Sequence, residues 1–174
     1  MRVLVTVGSM AEKKFTRLFQ AVDELCRQGV LQGEMVTAQV GFDGYRSRYY
    51  QCFDMVSREA FEEMIRRSDL IITHAGTGTV ITCLKNRKKV IVFPRMAQYD
   101  EHYDDHQLEL AELFSRENHV LTALDLPQLV QCISQLDDFH PAPFLPGESD
   151  ISRLVIDFIE RERESGKGRR KWRR

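Results

Sequence analysis

The stretch Asp69–Thr79 constrains the fold most. Leu70, Ile71 and Ile72 make an unbroken apolar run, the pattern of a strand covered on both faces. The run closes in His74-Ala75-Gly76-Thr77-Gly78-Thr79, and apolar residues then recur at helical spacing at Val80, Ile81, Cys83 and Leu84. Strand, glycine loop, helix is an order that leaves unpaired backbone N–H groups pointing out of the helix end. That end also carries partial positive charge, so it suits an anion. Gly76 and Gly78 would let the backbone come close to a phosphate. Thr77 and Thr79 would cap the helix or give hydroxyls to the same phosphate. On these residues alone, a diphosphate cradle and a capped turn with nothing bound stand level.

The flanking chain repeats the alternation. Arg2–Val7 reads as a first strand closed by Gly8-Ser9, and Phe15, Leu18, Phe19, Val22 and Leu25 predict a helix over Lys13–Gln28. Glu34–Val40 reads as a second strand and Gly41–Tyr45 as a turn; Tyr45–Tyr50 reads as a mobile loop. Cys52–Val56 is a short extended piece, after which Ser57 caps a helix with Phe61, Met64 and Ile65 on its inner face. Val90–Phe93 is a strand stopped by Pro94, and Pro94–Asp105 has no period. A helix follows on Leu108, Leu110, Ala111 and Phe114, then a strand at His119–Leu121 and a helix over Leu126–Leu136 with Pro127 in its first turn. Pro141, Pro143 and Pro146 make 139–147 an extended crossing, and Ile151, Leu154, Val155, Phe158 and Ile159 mark a last helix. Such alternation predicts parallel strands with crossover helices: an α/β, Rossmann-like three-layer domain over residues 1–164.

Composition excludes several classes. Hydrophobic residues are 43% and charged residues 29% of the 174, as in globular domains, and no apolar run nears the length of a membrane span. Met1–Val5 is too short for a secretory leader and reads better as strand. Cys26, Cys52, Cys83 and Cys132 lie far apart without a C-x-x-C pair, which predicts reduced thiols in the cytoplasm rather than a disulfide frame or zinc site. The net charge of −1 hides an asymmetry: Ser165–Arg174 holds six cations and no acid, so residues 1–164 carry −7. An acidic body would repel a nucleic acid, so none is expected as partner. The tail 165–174 is expected to be disordered, suited either to an anionic membrane surface or equally to a solubilising end of no function.

Two motifs in order sharpen the reading. At His74-Ala75-Gly76-Thr77-Gly78-Thr79, followed by Val90-Ile91-Val92-Phe93-Pro94 and Asp104-Asp105-His106-Gln107-Leu108-Glu109-Leu110-Ala111, the chain resembles the C-terminal, donor-binding half of GT-B glycosyltransferases of the MurG-like group. It is most similar to the small free-standing members: the Alg13-type subunit of eukaryotic N-glycan assembly and its bacterial exopolysaccharide counterparts of PssE-like and EpsF-like type. The resemblance spans residues 1–135.

The resemblance implies a UDP-sugar bound at the carboxyl edge of the sheet, as substrate, with no cofactor and no metal. Gly8, Ser9 and the loop Ala75, Gly76, Thr77, Gly78 and Thr79 would hold the diphosphate, with His74 donating to a phosphate oxygen. Met55 and Val56, near Phe53, would lie at the uracil. Asp105, His106 and Gln107 would face the sugar and ribose, and His74 and His106 are the catalytic candidates, the base lying on a partner. Helix dipole and backbone donors would stabilise the departing UDP. The family often places an acid for the ribose three residues past the glycine loop, where this chain has Thr82. The other half of a GT-B enzyme would come from a membrane-anchored, Alg14-like or PssD-like subunit that binds a lipid-linked acceptor. That makes this chain the donor-binding subunit of a two-component inverting hexosyltransferase at the inner face of a membrane. The alternative is a non-catalytic accessory subunit. Docking of the partner is expected on the Ile151–Ile159 helix or the Tyr45–Tyr50 loop.

Rival chemistry ranks lower. Gly76-x-Gly78 lacks the third glycine of a dinucleotide fingerprint, since Ile81 stands there. His102 and His106, flanked by Asp100, Asp104 and Asp105, have a spacing that could clamp a metal, but much of that stretch precedes the helix. Cys83, near the positive helix end, reads as a small buried apolar residue, and His119 and His140 read as structural or exposed.

Overall fold

Every strand in the sheet runs the same way. The computed structural model describes residues 1–144. Six strands, β1 Val3–Thr6, β2 Val36–Gln39, β3 Gln51–Phe53, β4 Leu70–Thr73, β5 Lys89–Val92 and β6 Leu121–Thr122, pair in parallel in the order 3-2-1-4-5-6. Among the described residues four α-helices lie between strands, α1 Thr16–Arg27, α2 Arg58–Arg67, α3 Thr77–Lys85 and α4 His106–Arg116, and a fifth, α5 Leu126–Ser134, follows β6. The expected Rossmann-like α/β architecture is borne out, and Met1–Pro143 forms one compact unit. No helix among the described residues is long and apolar enough to cross a membrane.

Burial explains the strand composition. In β1, Val3 and Val5 join Leu70, Ile72, Ile91 and Phe93 in one core with Phe15, Leu18, Phe19, Val22 and Leu25 of the α1 region. Alternate residues point to the other face of a sheet, and there Leu4, Ile71, Val90 and Val92 are buried too. Each such apolar side chain contributes about 1.5–3 kcal/mol when removed from water. Four-residue strands with helices on both faces therefore read as plain hydrophobic runs.

Several boundaries differ from expectation for local reasons. The α1 helix starts at Thr16 rather than Lys13, because Asp43 reaches across from the turn after β2. Its Oδ2 accepts from the Phe15 N–H at 2.6 Å, and its carboxylate also meets the Thr16 hydroxyl at 3.3 Å. Tyr45–Tyr50 is not a loose loop. The Tyr45 ring stacks on Phe19 at 5.3 Å and its hydroxyl donates to Asp23 at 2.7 Å, while the buried Tyr50 donates to the Phe19 carbonyl at 3.0 Å. Tyr49 alone of its aromatics is exposed, beside the exposed Arg46 and Arg48. Ser57 does cap α2, accepting from Ala60 N–H at 3.2 Å, but of the expected inner face only Ile65 is fully buried. His119 is buried and bridges Glu117 at 3.3 Å and the Ala142 carbonyl at 3.1 Å. The expected helix at Ile151–Ile159 and the basic tail lie outside the described residues.

Candidate functional site

The strand order reverses between β1 and β4, which are neighbours although they lie far apart in sequence. Loops leaving the carboxyl ends of two such strands diverge, and ligands bind in the crevice between them. Here these loops are Gly8-Ser9 and His74-Ala75-Gly76. The His74 ring packs between their glycines. A Cβ on Gly8, whose φ is +70°, would lie 2.8 Å from His74 Cε1, and one on Gly76 would lie 2.2 Å from Nε2. Neither loop could hold this ring with any other residue. Ser9 beside them is exposed.

The environment of His74 decides its proton. Its Nδ1 lies 3.2 Å from the Thr73 hydroxyl, which itself donates to the Thr6 carbonyl at 2.9 Å. That hydroxyl has spent its proton, so Nδ1 must carry the hydrogen and Nε2 is a bare acceptor. The residue keeps some exposed surface, but its ring is desolvated. Burial, with the Arg95 charge second, pushes its pKa from 6.5 down to about 3. His74 is thus neutral at physiological pH. To donate from Nε2 to a phosphate it must first gain a proton, which a neighbouring anion would favour. A consequence can be measured. The unfolded imidazole takes its proton near 6.5 and the folded one only near about 3. The stability this difference gives is complete above 6.5 and falls with pH below it, by about 1.4 kcal/mol per unit. His74→Gln should flatten this acid loss in urea unfolding between about pH 7 and pH 4. Equal slopes for variant and parent would clear His74 of the effect.

The start of α3 is open. Gly76 occupies the cap position and no side chain caps the helix; Thr77 and Thr79 do not do so. The first intrahelical bond is Val80 N–H to the Gly76 carbonyl at 3.1 Å, leaving the amides of Thr77, Gly78 and Thr79 pointing outward. The Thr77 and Thr79 hydroxyls take no partner among the described residues. A Cβ on Gly78 would meet nothing within 4 Å, so space stands over this amide. Thr82 donates its hydroxyl to the Gly78 carbonyl at 2.7 Å and so bonds within its own helix. Burial pushes the Cys83 thiol up to about 12, which fits a packing role.

The far wall comes from β2 and β3. Gly41 approaches the first loop so closely that a Cβ there would lie 3.0 Å from the Gly8 carbonyl and 3.9 Å from Met55 Sδ. Met55 is 47% exposed and Phe42 61% exposed, so this rim is apolar. Val56 is half-buried beside them. Phe42 was missed in the sequence, where it reads as one more turn residue.

The segment from Pro94 to Gln107 is stitched together rather than irregular. Gln107 is buried, and its Oε1 accepts from the Arg95 N–H at 3.0 Å. Asp105 accepts from the Ala97 N–H at 2.8 Å. Both side chains therefore support the loop in this structure, while His106, at the helix start, stays partly open. His102, Asp104 and His106 converge, with both imidazole Nδ1 atoms on one Asp104 oxygen and their donor atoms within 4.8 Å of one another. The set is chemically suited to a transition metal, but it sits at the positive end of α4, and Arg95 adds to the positive potential felt at His102. Arg95 and Glu101, both buried, were invisible to sequence reasoning. A separate hollow of about 520 Å³, lined by Lys13, Arg17 and Tyr99 among others, flanks the end of the 8–14 loop and includes no cradle residue.

Comparison with known proteins identifies the family. The glycosyltransferase family 28 C-terminal domain matches residues 2–150. The chain is 38% identical over 97 residues to the UDP-N-acetylglucosamine transferase subunit ALG13 of Candida albicans, covering 52% of this chain and 31% of that protein. It is 32% identical over 143 residues to the subunit of the same name from Yarrowia lipolytica, covering 72% and 66%. The chain spans only 31% and 48% of the Candida albicans and Cryptococcus neoformans relatives. Among solved structures it is similar to the solution structure of ALG13, with a TM-score of 0.59 at 20% identity over 92% of this chain and 97% of that one. It also resembles the Methanocaldococcus jannaschii UDP-GlcNAc 2-epimerase, with a TM-score of 0.57 at 12% identity over 91% and 45%. At such identities these two likenesses concern the fold alone. The match over residues 2–150 establishes that the chain belongs to the glycosyltransferase family 28 C-terminal domain family.

Proposed function

We propose that this chain is the donor-binding subunit of a two-component inverting glycosyltransferase. It holds a UDP-sugar by its diphosphate, and a membrane-anchored, Alg14-like or PssD-like partner presents a lipid-linked acceptor at the inner face of the membrane. The relatives' names point to N-acetylglucosamine as the sugar. The setting is glycan or surface-polysaccharide synthesis. The observation that carries this reading is the open start of α3: outward amides at Thr77, Gly78 and Thr79, hydroxyls without a partner among the described residues, and clear space over Gly78. Such donors, fixed before the ligand arrives, favour the charge that develops on departing UDP. The reaction on this reading needs no resident cofactor, and the base that activates the acceptor lies on the partner. Phe42 and Met55 supply an apolar rim for uracil.

Gly78→Leu tests the site. Nothing surrounds that position and leucine favours a helix, so unfolding free energy should stay level or rise by up to about 1 kcal/mol. Affinity for UDP and UDP-N-acetylglucosamine, read by calorimetry, should drop at least about tenfold. Unchanged binding would refute the placement. A second reading, an accessory subunit with a vestigial site, draws on Thr82, whose hydroxyl is occupied where the family offers an acid. Transfer to a lipid-linked acceptor in vesicles, with the partner present, separates the two. Equal rates for parent and Gly78→Leu support the accessory role.

A further inference from the structure

Arg95 is a buried cation with no acid side chain in contact among the described residues, although the Glu101 and Asp43 charges nearby favour its charged form. The residue is 1% exposed. Its Nη1 donates to the carbonyls of Lys13 at 3.1 Å, Lys14 at 3.4 Å and Glu101 at 3.2 Å, and its Nη2 donates to the Val7 carbonyl at 3.2 Å. Its Nε has no partner among the described residues. Neither nearby acid is free to pair with it. Both Glu101 oxygens are taken by Arg17 at 2.8 Å, and Asp43 serves the Phe15 N–H at 2.6 Å. Carbonyl dipoles and the Phe15 ring, 4.7 Å away, offset only part of the cost of desolvating a whole charge. Burial pushes its pKa down to about 10, which still leaves it charged at neutral pH.

Its position gives the charge a use. Val7 is followed by Gly8, the glycine that packs on His74, while Lys13 and Lys14 close the same loop. One guanidinium thus ties both ends of the 8–14 loop, and Gln107 fixes the Arg95 backbone in turn.

We propose that Arg95 is a positioning residue of the donor site: it sets the 8–14 loop and keeps a permanent positive charge behind the cradle, so that ligands are selected by how many phosphate charges they bring. The inference rests on the donor-site reading above. It deepens that reading, since Arg95 touches no ligand and acts through the loop and through its field. A buried charge is screened by salt far less than the exposed Lys14 side chain would be.

The test is a charge ladder. UDP, UMP and uridine are titrated against the full chain by NMR chemical shift, at low and high salt, with R95M and R95K alongside. The parent should prefer UDP over UMP over uridine, with the UDP-to-UMP ratio surviving high salt. R95M should weaken UDP at least about tenfold and leave uridine unchanged, while R95K, which keeps the charge, stays within about threefold for UDP. Three results would overturn the proposal: R95M weakening all three ligands by one factor, R95M leaving UDP untouched, or a parental preference that collapses with salt. The salt arm uses the parent chain, so it decides even where R95M does not fold. A parent that binds none of the three sinks the donor-site reading itself. A parent that binds UDP beside an R95M variant that keeps the parental preference for UDP over UMP sinks only the role of Arg95.

Discussion

Arg17→Ala should destabilise the fold by about 3–5 kcal/mol, the cost typical of breaking a buried ion pair from one side. Arg17 projects from α1 and meets Glu101 in a two-pronged contact, Nε to Oε1 and Nη2 to Oε2, both at 2.8 Å. It also donates to the carbonyls of Pro94 at 2.9 Å and Leu124 at 2.7 Å, and its guanidinium lies over Phe93 at 4.4 Å and Tyr99 at 4.7 Å. The Glu101 side chain is only 5% exposed. Without Arg17 its carboxylate would keep the Met96 N–H at 3.1 Å and no counter-charge in contact among the described residues. Urea unfolding measures the loss. Adding Glu101→Gln to Arg17→Ala should recover a good part of it, because the stranded charge is then gone. A double variant no more stable than the single would show that lost packing, not uncompensated charge, sets the cost.

Gly76→Ala should abolish nucleotide binding to within measurement, a loss of at least about a hundredfold or 2.7 kcal/mol. The added methyl would lie 2.2 Å from His74 Nε2. The ring has nowhere to retreat: Gly8 lies against it, and its Nδ1 is held at Thr73. Either the imidazole leaves or the start of α3 shifts, and both spoil the amide cradle. Overpacking of this kind costs about 1–3 kcal/mol of stability. The double variant with His74→Ala removes the clash and should restore stability, though not the full affinity. Calorimetry and thermal melts read both outcomes. A single variant that binds UDP like the parent would mean that the cradle is elsewhere.

What the sequence revealed follows from what is local in it. The run Leu70–Ile72, the strand–loop–helix order at the glycines and the helical spacing of Leu18, Phe19, Val22 and Leu25 each depend on neighbours within a turn or two, and each is found in the structure. The same holds for the cap at Ser57 and for α5, whose first turn admits Pro127 and whose cap is Asp125. Several of the misses involve partners far along the chain. Arg95 finds its acceptors at Val7, Lys13 and Lys14, and Gln107 turns inward because the Arg95 amide needs an acceptor. Tyr45 and Tyr50 read as polar loop residues because nothing near them shows that Asp23 and Phe19 await their hydroxyls. In the candidate site, the glycines were legible as a pattern. The reason for two of them was not, since it lies in the breadth of the His74 ring.

The strand order has a consequence for how this chain comes into being. The strand Val3–Thr6 precedes the other five described strands in sequence yet ends up central, flanked by Val36–Gln39 and Leu70–Thr73. On the ribosome one flank of that segment waits for residue 73 to emerge, and its sticky apolar faces stand bare meanwhile. Parallel pairing across such separations is slow, and the delay invites association between nascent chains. A cell making this protein quickly gains by sheltering residues 3–73 until Val3–Thr6 has both neighbours.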